Sequence, residues 1–145
     1  MNPLDLLTSD HQALRVQADK LKELVVQSSQ NVAEVLASFQ EAVQKHFKRE
    51  DPYYRVLDDG KRVEDRGLIH QLRNDHAAVV FTLESLAIRL RKNGINSDWR
   101  TRFDNLMNVF LPHLDQEEKH LFPIGRKMLS PQELDAITHH IQSGE

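Results

Sequence analysis

A chain of 145 residues with 39% hydrophobic and 28% charged residues and a net charge of −3 can bury a core of its own, and it lacks the basic surface that nucleic acid or anionic lipid would require. It contains no cysteine, which excludes disulfides, thiolate metal sites and cysteine nucleophiles, so any metal must be held by nitrogen and oxygen. No apolar run approaches the roughly 20 residues that span a bilayer, and the opening MNPLDLLTSDHQ has neither a basic start nor an apolar stretch to act as a secretion signal, which predicts a cytoplasmic protein with no membrane partner.

The five glycines and five prolines fall in clusters and no run alternates polar with apolar residues, so the pattern predicts long helices and no strands. Apolar residues recur at spacings of three and four, the signature of one helix face. The first stripe reads Leu4, Leu7, His11, Leu14, Ala18, Leu21, Val25 and ends at QSSQN. The second reads Val32, Val35, Phe39, Val43, His46, Glu50, Tyr53 and breaks up near Leu57, before the charged run KRVEDR. The third reads Ile69, Leu72, His76, Val79, Leu83, Leu86, Leu90 and stops at Asn93 and Gly94. The fourth follows the capping candidate Ser97 and reads Trp99, Phe103, Leu106, Phe110, His113, Glu117, His120, Ile124. SPQE at 130–133 combines an N-cap serine, a proline at the first helical position and a glutamate at N3, predicting a short fifth helix with Leu134, Ile137 and Ile141. Four such helices joined mostly by short loops predict an all-α, antiparallel up-down-up-down four-helix bundle with a short C-terminal helix, over one domain at 1–145.

Four histidines and two glutamates stand on these apolar stripes. If the first two helices form a hairpin, the midpoint between His11 and His46 falls at residue 28 or 29, inside the serine turn; for His76 and His113 it falls at 94 or 95, beside Gly94. The same reach from each bend brings all four histidines towards one level, with Glu50 and Glu117 about 6 Å further along nearly the same faces. The halves also match locally, SDHQALR (9–15) with NDHAAVV (74–80) at an offset of 65, and His46/Glu50 with His113/Glu117 at an offset of 67. The expectation is an internal duplication over about 1–57 and 64–129, with a site of approximate two-fold symmetry.

Taken singly, a histidine on an apolar stripe is a satisfied core side chain more often than a ligand, and Glu four residues after His is a common surface pair. Six such groups converging on one level are a different matter, because buried together they need a cation to offset their desolvation. Six nitrogen and oxygen ligands suit two ions with open positions better than one closed structural zinc. Ferritin-like di-iron bundles use Glu-x-x-His with four glutamates, whereas this chain has His-x-x-x-Glu with two.

His, then His-x-x-x-Glu, repeated twice on four helices, together with EEKHLFP at 117–123, resembles the hemerythrin-like HHE cation-binding domain family over nearly the whole chain. The resemblance implies two iron ions, with manganese or zinc as substitutes, and a bridging oxo or hydroxo group, held by His11, His46, Glu50, His76, His113 and Glu117. The oxygen carriers of that family have a His-x-x-x-His pair on the third helix, but Leu72 and Val80 flank His76 here. The remaining set looks more like the iron-centre repair proteins and the bacterial iron- or oxygen-sensing members, although the cysteine-containing segment usual in the former is not present.

His120, two turns after His113, is a further candidate ligand or a peripheral hydrogen-bonding group. His70 lies about 120° off the His76 stripe, and His70, His139 and His140 are expected at the surface. Asp10 and Asp75 each precede a candidate ligand, cannot share its face and are expected to be structural or N-terminal charges, while Asp51 and Glu118 follow the glutamates and are expected to face outward. Pro112 removes a helical hydrogen bond directly before His113 and is expected to bend or bulge the fourth helix there. Pro52, Tyr53, Tyr54 and Phe122, with a linker at 58–66, are expected to cover the site. The functional expectation is a di-iron protein, a monomer, that binds or senses O2, NO or peroxide or takes part in iron handling. The competing expectation is a metal-free or zinc-bound interaction module.

Overall fold

The computed structural model describes residues 2–60 and 65–143. Helix α1 spans Pro3–Val26, α2 Val32–Gly60, α3 Arg66–Asn93 and α4 Ser97–Gln116. A π-helical turn at Glu117–Leu121 carries α4 into α5 (Phe122–Met128), and α6 spans Pro131–Gln142. No strand occurs among the described residues. The four long helices form a ring in which α1 meets α2 and α4, and α3 meets α2 and α4, while α6 rests against α1 and α2. This is the expected four-helix bundle with a short C-terminal helix.

Local chemistry sets the helix ends. Asn2 caps α1 by accepting from the Leu4 N–H, with Pro3 at the first position. Asn96, not Ser97, caps α4, its side chain accepting from the Trp99 N–H. Gly94 ends α3 at φ 71, a conformation glycine adopts without strain. Ser130 and Glu133 form the expected capping box of α6. Two boundaries differ from the sequence expectation. Helix α2 continues through Pro52 to Gly60 rather than breaking near Leu57, and the departure from α geometry in the fourth helix comes at 117–121, after Pro112 rather than at it. Much of the linker expected at 58–66 lies outside the described residues.

The predicted stripes are the buried faces. In α1, Leu4, Leu7, His11, Leu14, Ala18, Leu21 and Val25 are all buried. The core has two apolar parts. One, towards the α1–α2 and α3–α4 turns, is built around Phe39, Trp99, Phe103 and Phe110; the other gathers Leu4, Leu7, Tyr53, Tyr54, Leu72 and Phe122 with Ile137 and Ile141 of α6. Between them, one level along every long helix, lie the histidines and glutamates.

Candidate metal centre

His11, His46, Glu50, His113 and Glu117 are the buried polar side chains of the protein's described core, each at 2% exposure or less. His76 joins them with 13% of its side chain exposed. Their donor atoms fall into two groups, His11/His46/Glu50/Glu117 and His76/His113/Glu50/Glu117, with the atoms of each group within 4.8 Å of one another. The two glutamates are common to both.

The glutamates divide their oxygens between the groups. Glu50 Oε2 lies 3.2 Å from His11 Nε2 and 3.1 Å from His46 Nε2, while its Oε1 lies 3.2 Å from His76 Nε2. Glu117 does the converse, with Oε1 3.1 Å from His11 Nε2 and Oε2 3.2 Å from both His76 and His113. Each carboxylate thus presents one oxygen to each histidine pair, which is what a carboxylate bridging two ions must do.

Hydrogen bonding alone does not satisfy this arrangement. His46 Nε2, Glu50 Oε1 and Glu117 Oε1 are buried without a hydrogen-bond partner despite neighbours near 3 Å, and the Nε2 atoms of His76 and His113 face each other at 3.1 Å. Buried polar atoms left so are destabilising by a few kcal/mol each, at about 1–3 kcal/mol per group. Ligands at right angles on one ion, with bonds of about 2.1 Å, are themselves about 3 Å apart. The donor set therefore fits metal ions.

Charge follows the same logic. Burial disfavours charge on His11, but the Glu117 and Glu50 carboxylates beside its Nε2 outweigh it and push the imidazole up to about 10. His76 is pushed up to about 9 by the same carboxylates against the same burial. Burial opposes ionisation of Glu117, as does the charge of Glu50, yet the imidazoles of His11, His113 and His76 within 3.2 Å hold it down to about 2. Glu50 is likewise held well below the usual carboxylate range, by His46, His11 and His76. In the metal-free cluster, protons on imidazoles take the place that cations would fill.

The outward nitrogens of the imidazoles reveal residues the sequence reading set aside. Asp10 Oδ2 accepts from Nδ1 of His46 at 2.9 Å, and Asp75 Oδ2 from Nδ1 of His113 at 3.1 Å. Glu118 Oε2 accepts from Nδ1 of His11 at 2.7 Å and is itself held by Arg15 at 2.6 Å. These carboxylates fix which imidazole nitrogen faces the cluster and so turn Nε2 inward, free to meet a cation. The expectation that Glu118 faces outward is corrected, and Asp10 and Asp75 are structural rather than terminal charges: each of the three points past its own helix onto a neighbour's histidine. The signal was present in the repeated Asp-His of SDHQ and NDHA. Asp51 alone of the four keeps to surface arginines, Arg55 and Arg73.

Tyr54, expected to cover the site, also bonds one of its carboxylates directly. Its hydroxyl donates to Glu117 Oε2 at 2.5 Å in a buried position, and burial beside Glu117 and Glu50 pushes its ionisation far above the ordinary tyrosine range. Tyr53 and Phe122 close the layer from the α6 side, Phe122 lying 5.5 Å from the His11 ring. His120 is exposed and belongs to neither donor group; His70 and His139 are exposed, and His140 is half-buried.

A helical bundle with a buried layer of this composition defines a cation-binding protein of the all-α class. A family model for the Hemerythrin HHE cation binding domain matches residues 2–124. The chain belongs to that family. Searches of curated proteins and of solved structures return no match.

Proposed function

We propose that the chain holds two iron ions, with His11 and His46 on one, His76 and His113 on the other, and Glu50 and Glu117 bridging them together with an oxo or hydroxo group. The observation that carries this reading is the division of each carboxylate's oxygens between the two histidine pairs. Two histidines and two shared carboxylates leave each ion short of six ligands, and nitrogen and carboxylate ligands with open positions suit iron more than closed structural zinc. Bound iron would supply a redox change and a coordination position for a small molecule.

The chain's own residues do the rest. Asp10, Asp75 and Glu118 orient the imidazoles, Tyr54 offers a hydroxyl proton at the Glu117 carboxylate, and Phe47, Phe122 and the tyrosines exclude bulk water. The function this supports is binding or sensing of O2, NO or peroxide, or a part in iron handling, by a cytoplasmic monomer of one domain built from two similar halves. Metal analysis of the purified protein, with visible spectra taken without air and after its admission, tests the reading. About two irons per chain and a band that appears on oxidation are expected. One zinc, or no metal with an unchanged fold after chelation, would instead favour an interaction module.

A further inference from the structure

The histidines and glutamates of the cluster repeat from one half of the chain to the other, but the residues that close the two sides do not. On the first side, Arg15 bonds Glu118 at 2.6 Å and Asp115 at 2.8 Å, and Glu118 holds Nδ1 of His11, which is wholly buried. At the sequence offsets of 65 and 67, the counterparts of Arg15, Asp115 and Glu118 are Val80, Lys48 and Asp51. Valine cannot hold a carboxylate. Asp51 pairs instead with Arg55 and Arg73, and among the described residues no carboxylate reaches Nδ1 of His76.

The space left open is a surface cavity of about 760 Å³ between α2 and α3, lined among others by Phe47, Lys48, Asp51, Arg73, His76 and Val80. His76 forms part of its floor, stacked on Phe47 with ring centroids 3.9 Å apart, and is the one member of the cluster that is not fully buried. The charged lining is Lys48, Arg55 and Arg73 against Asp51 and Glu84, three positive groups to two negative with the histidines counted as neutral, which favours a small anion over a cation.

We infer that a small exogenous ligand, an anion of a few atoms, reaches the centre through this α2–α3 cavity over His76, and that the His76/His113 position is the one it meets. The inference rests on the two-metal reading for its destination, but the asymmetry of access belongs to the metal-free chain as well. The edge of His76 is reachable from solvent, whereas His11 lies behind the Arg15–Glu118–Asp115 cluster.

Ala77 and Gln12 are matched exposed positions, each one residue after its histidine, so Ala77→Trp and Gln12→Trp block the two sides without touching a ligand. Azide is mixed with the di-ferric wild type and variants in a stopped-flow spectrometer, with iron content and melting temperature checked for each. Association slowed at least about tenfold by Ala77→Trp, and changed by less than about twofold by Gln12→Trp, is the expected result. Equal slowing by both, slowing by Gln12→Trp alone, or no response to either overturns the inference.

Carbethoxylation of the metal-free chain with diethyl pyrocarbonate, followed by peptide mass mapping, reads the same asymmetry without iron. His76 should react ahead of His11, and Ala77→Trp should suppress its reaction. Equal reactivity of the two overturns the inference even if the chain proves to bind no iron pair, a failure of the two-metal reading that iron content reports separately.

Discussion

Asp10 reaches across the α1–α2 contact to place Oδ2 2.9 Å from Nδ1 of His46, and Asp75 does the same from α3 to His113 at 3.1 Å. A carboxylate at Nδ1 fixes the tautomer and makes the opposite nitrogen a better ligand, an effect worth about 10–100-fold in metal affinity. Asp10→Ala and Asp75→Ala should therefore each weaken metal binding by that order in a chelator competition, with the helical content unchanged. Affinities equal to wild type would mean that packing alone orients the imidazoles.

Glu50 and Glu117 each contact both histidine pairs. Replacing either by glutamine removes a negative charge from the shared wall of both positions and leaves an amide that bridges poorly. Metal content in Glu50→Gln and in Glu117→Gln should fall from about two ions per chain to one or fewer, with loss of the visible band. Retention of both ions and the band by either variant would show that the carboxylates do not bridge.

The pH dependence has a defined sign. Carboxylate contacts raise His11 to about 10 and His76 to about 9 from an ordinary 6.5, overcoming the opposing effect of burial. Their contribution to the stability of the metal-free chain is therefore complete below 6.5 and is lost as pH rises through 9 to 10. Glu117, lowered to about 2 from 4.5, contributes above 4.5 and loses that contribution as pH falls through 2. The metal-free chain should be most stable between these limits, near pH 5 to 6 on this order of shift.

Metal ligation requires neutral imidazoles, so metal binding near pH 7 should release protons from His11 and His76 and from His46, which despite its burial Glu50 and Asp10 also raise, and apparent affinity should climb with pH up to about 10. Titration calorimetry in buffers of different ionisation enthalpy measures the release directly. A metal affinity independent of pH between about 6 and 9 would contradict the charge assignment.

Much of this site was legible because stripe membership is a property of one helix. Periodicity placed His11, His46, His76 and His113 among apolar neighbours, and the distances to Ser28 and Gly94 set their common level. What escaped was interaction between helices. Asp10 and Asp75 are about 100° from the adjoining histidines on their own helices, so a wheel turns them outward. In the bundle that direction faces the next helix rather than water.

Tyr54 was legible as part of the site's cover, but its bond to Glu117 was not. It lies four residues after Glu50 and so near the same face, but Tyr53 continues the stripe equally well at a spacing of three, and both side chains are buried. The π-helical turn at Glu117–Leu121 runs up to Pro123, which has no N–H to donate to the preceding turn, and Tyr53 of α2 bonds the Leu121 carbonyl, so the departure from α geometry tracks Pro123 rather than Pro112.

The contact that holds that turn yields a stability prediction. The Tyr53 hydroxyl donates to the Leu121 carbonyl at 2.6 Å and accepts from the Gly125 N–H at 3.0 Å, tying α2 to both ends of the segment after Glu117. A Cβ on Gly125 would lie 2.4 Å from that oxygen and 2.5 Å from Cε1 of the same ring. Buried and bonded twice, the ring cannot swing aside.

Gly125→Ala should destabilise the metal-free chain by about 1–3 kcal/mol through overpacking, and Tyr53→Phe by about the same through the Leu121 carbonyl it leaves unpaired. Because phenylalanine vacates the nearest of the clashing atoms, the double variant should lose less than the sum of the two, a coupling of about 0.5 kcal/mol or more in a double-mutant cycle of thermal or urea unfolding. Strict additivity would mean that the Cβ and the hydroxyl do not compete for the same space, and that the turn carrying Glu117 is held by something other than Tyr53.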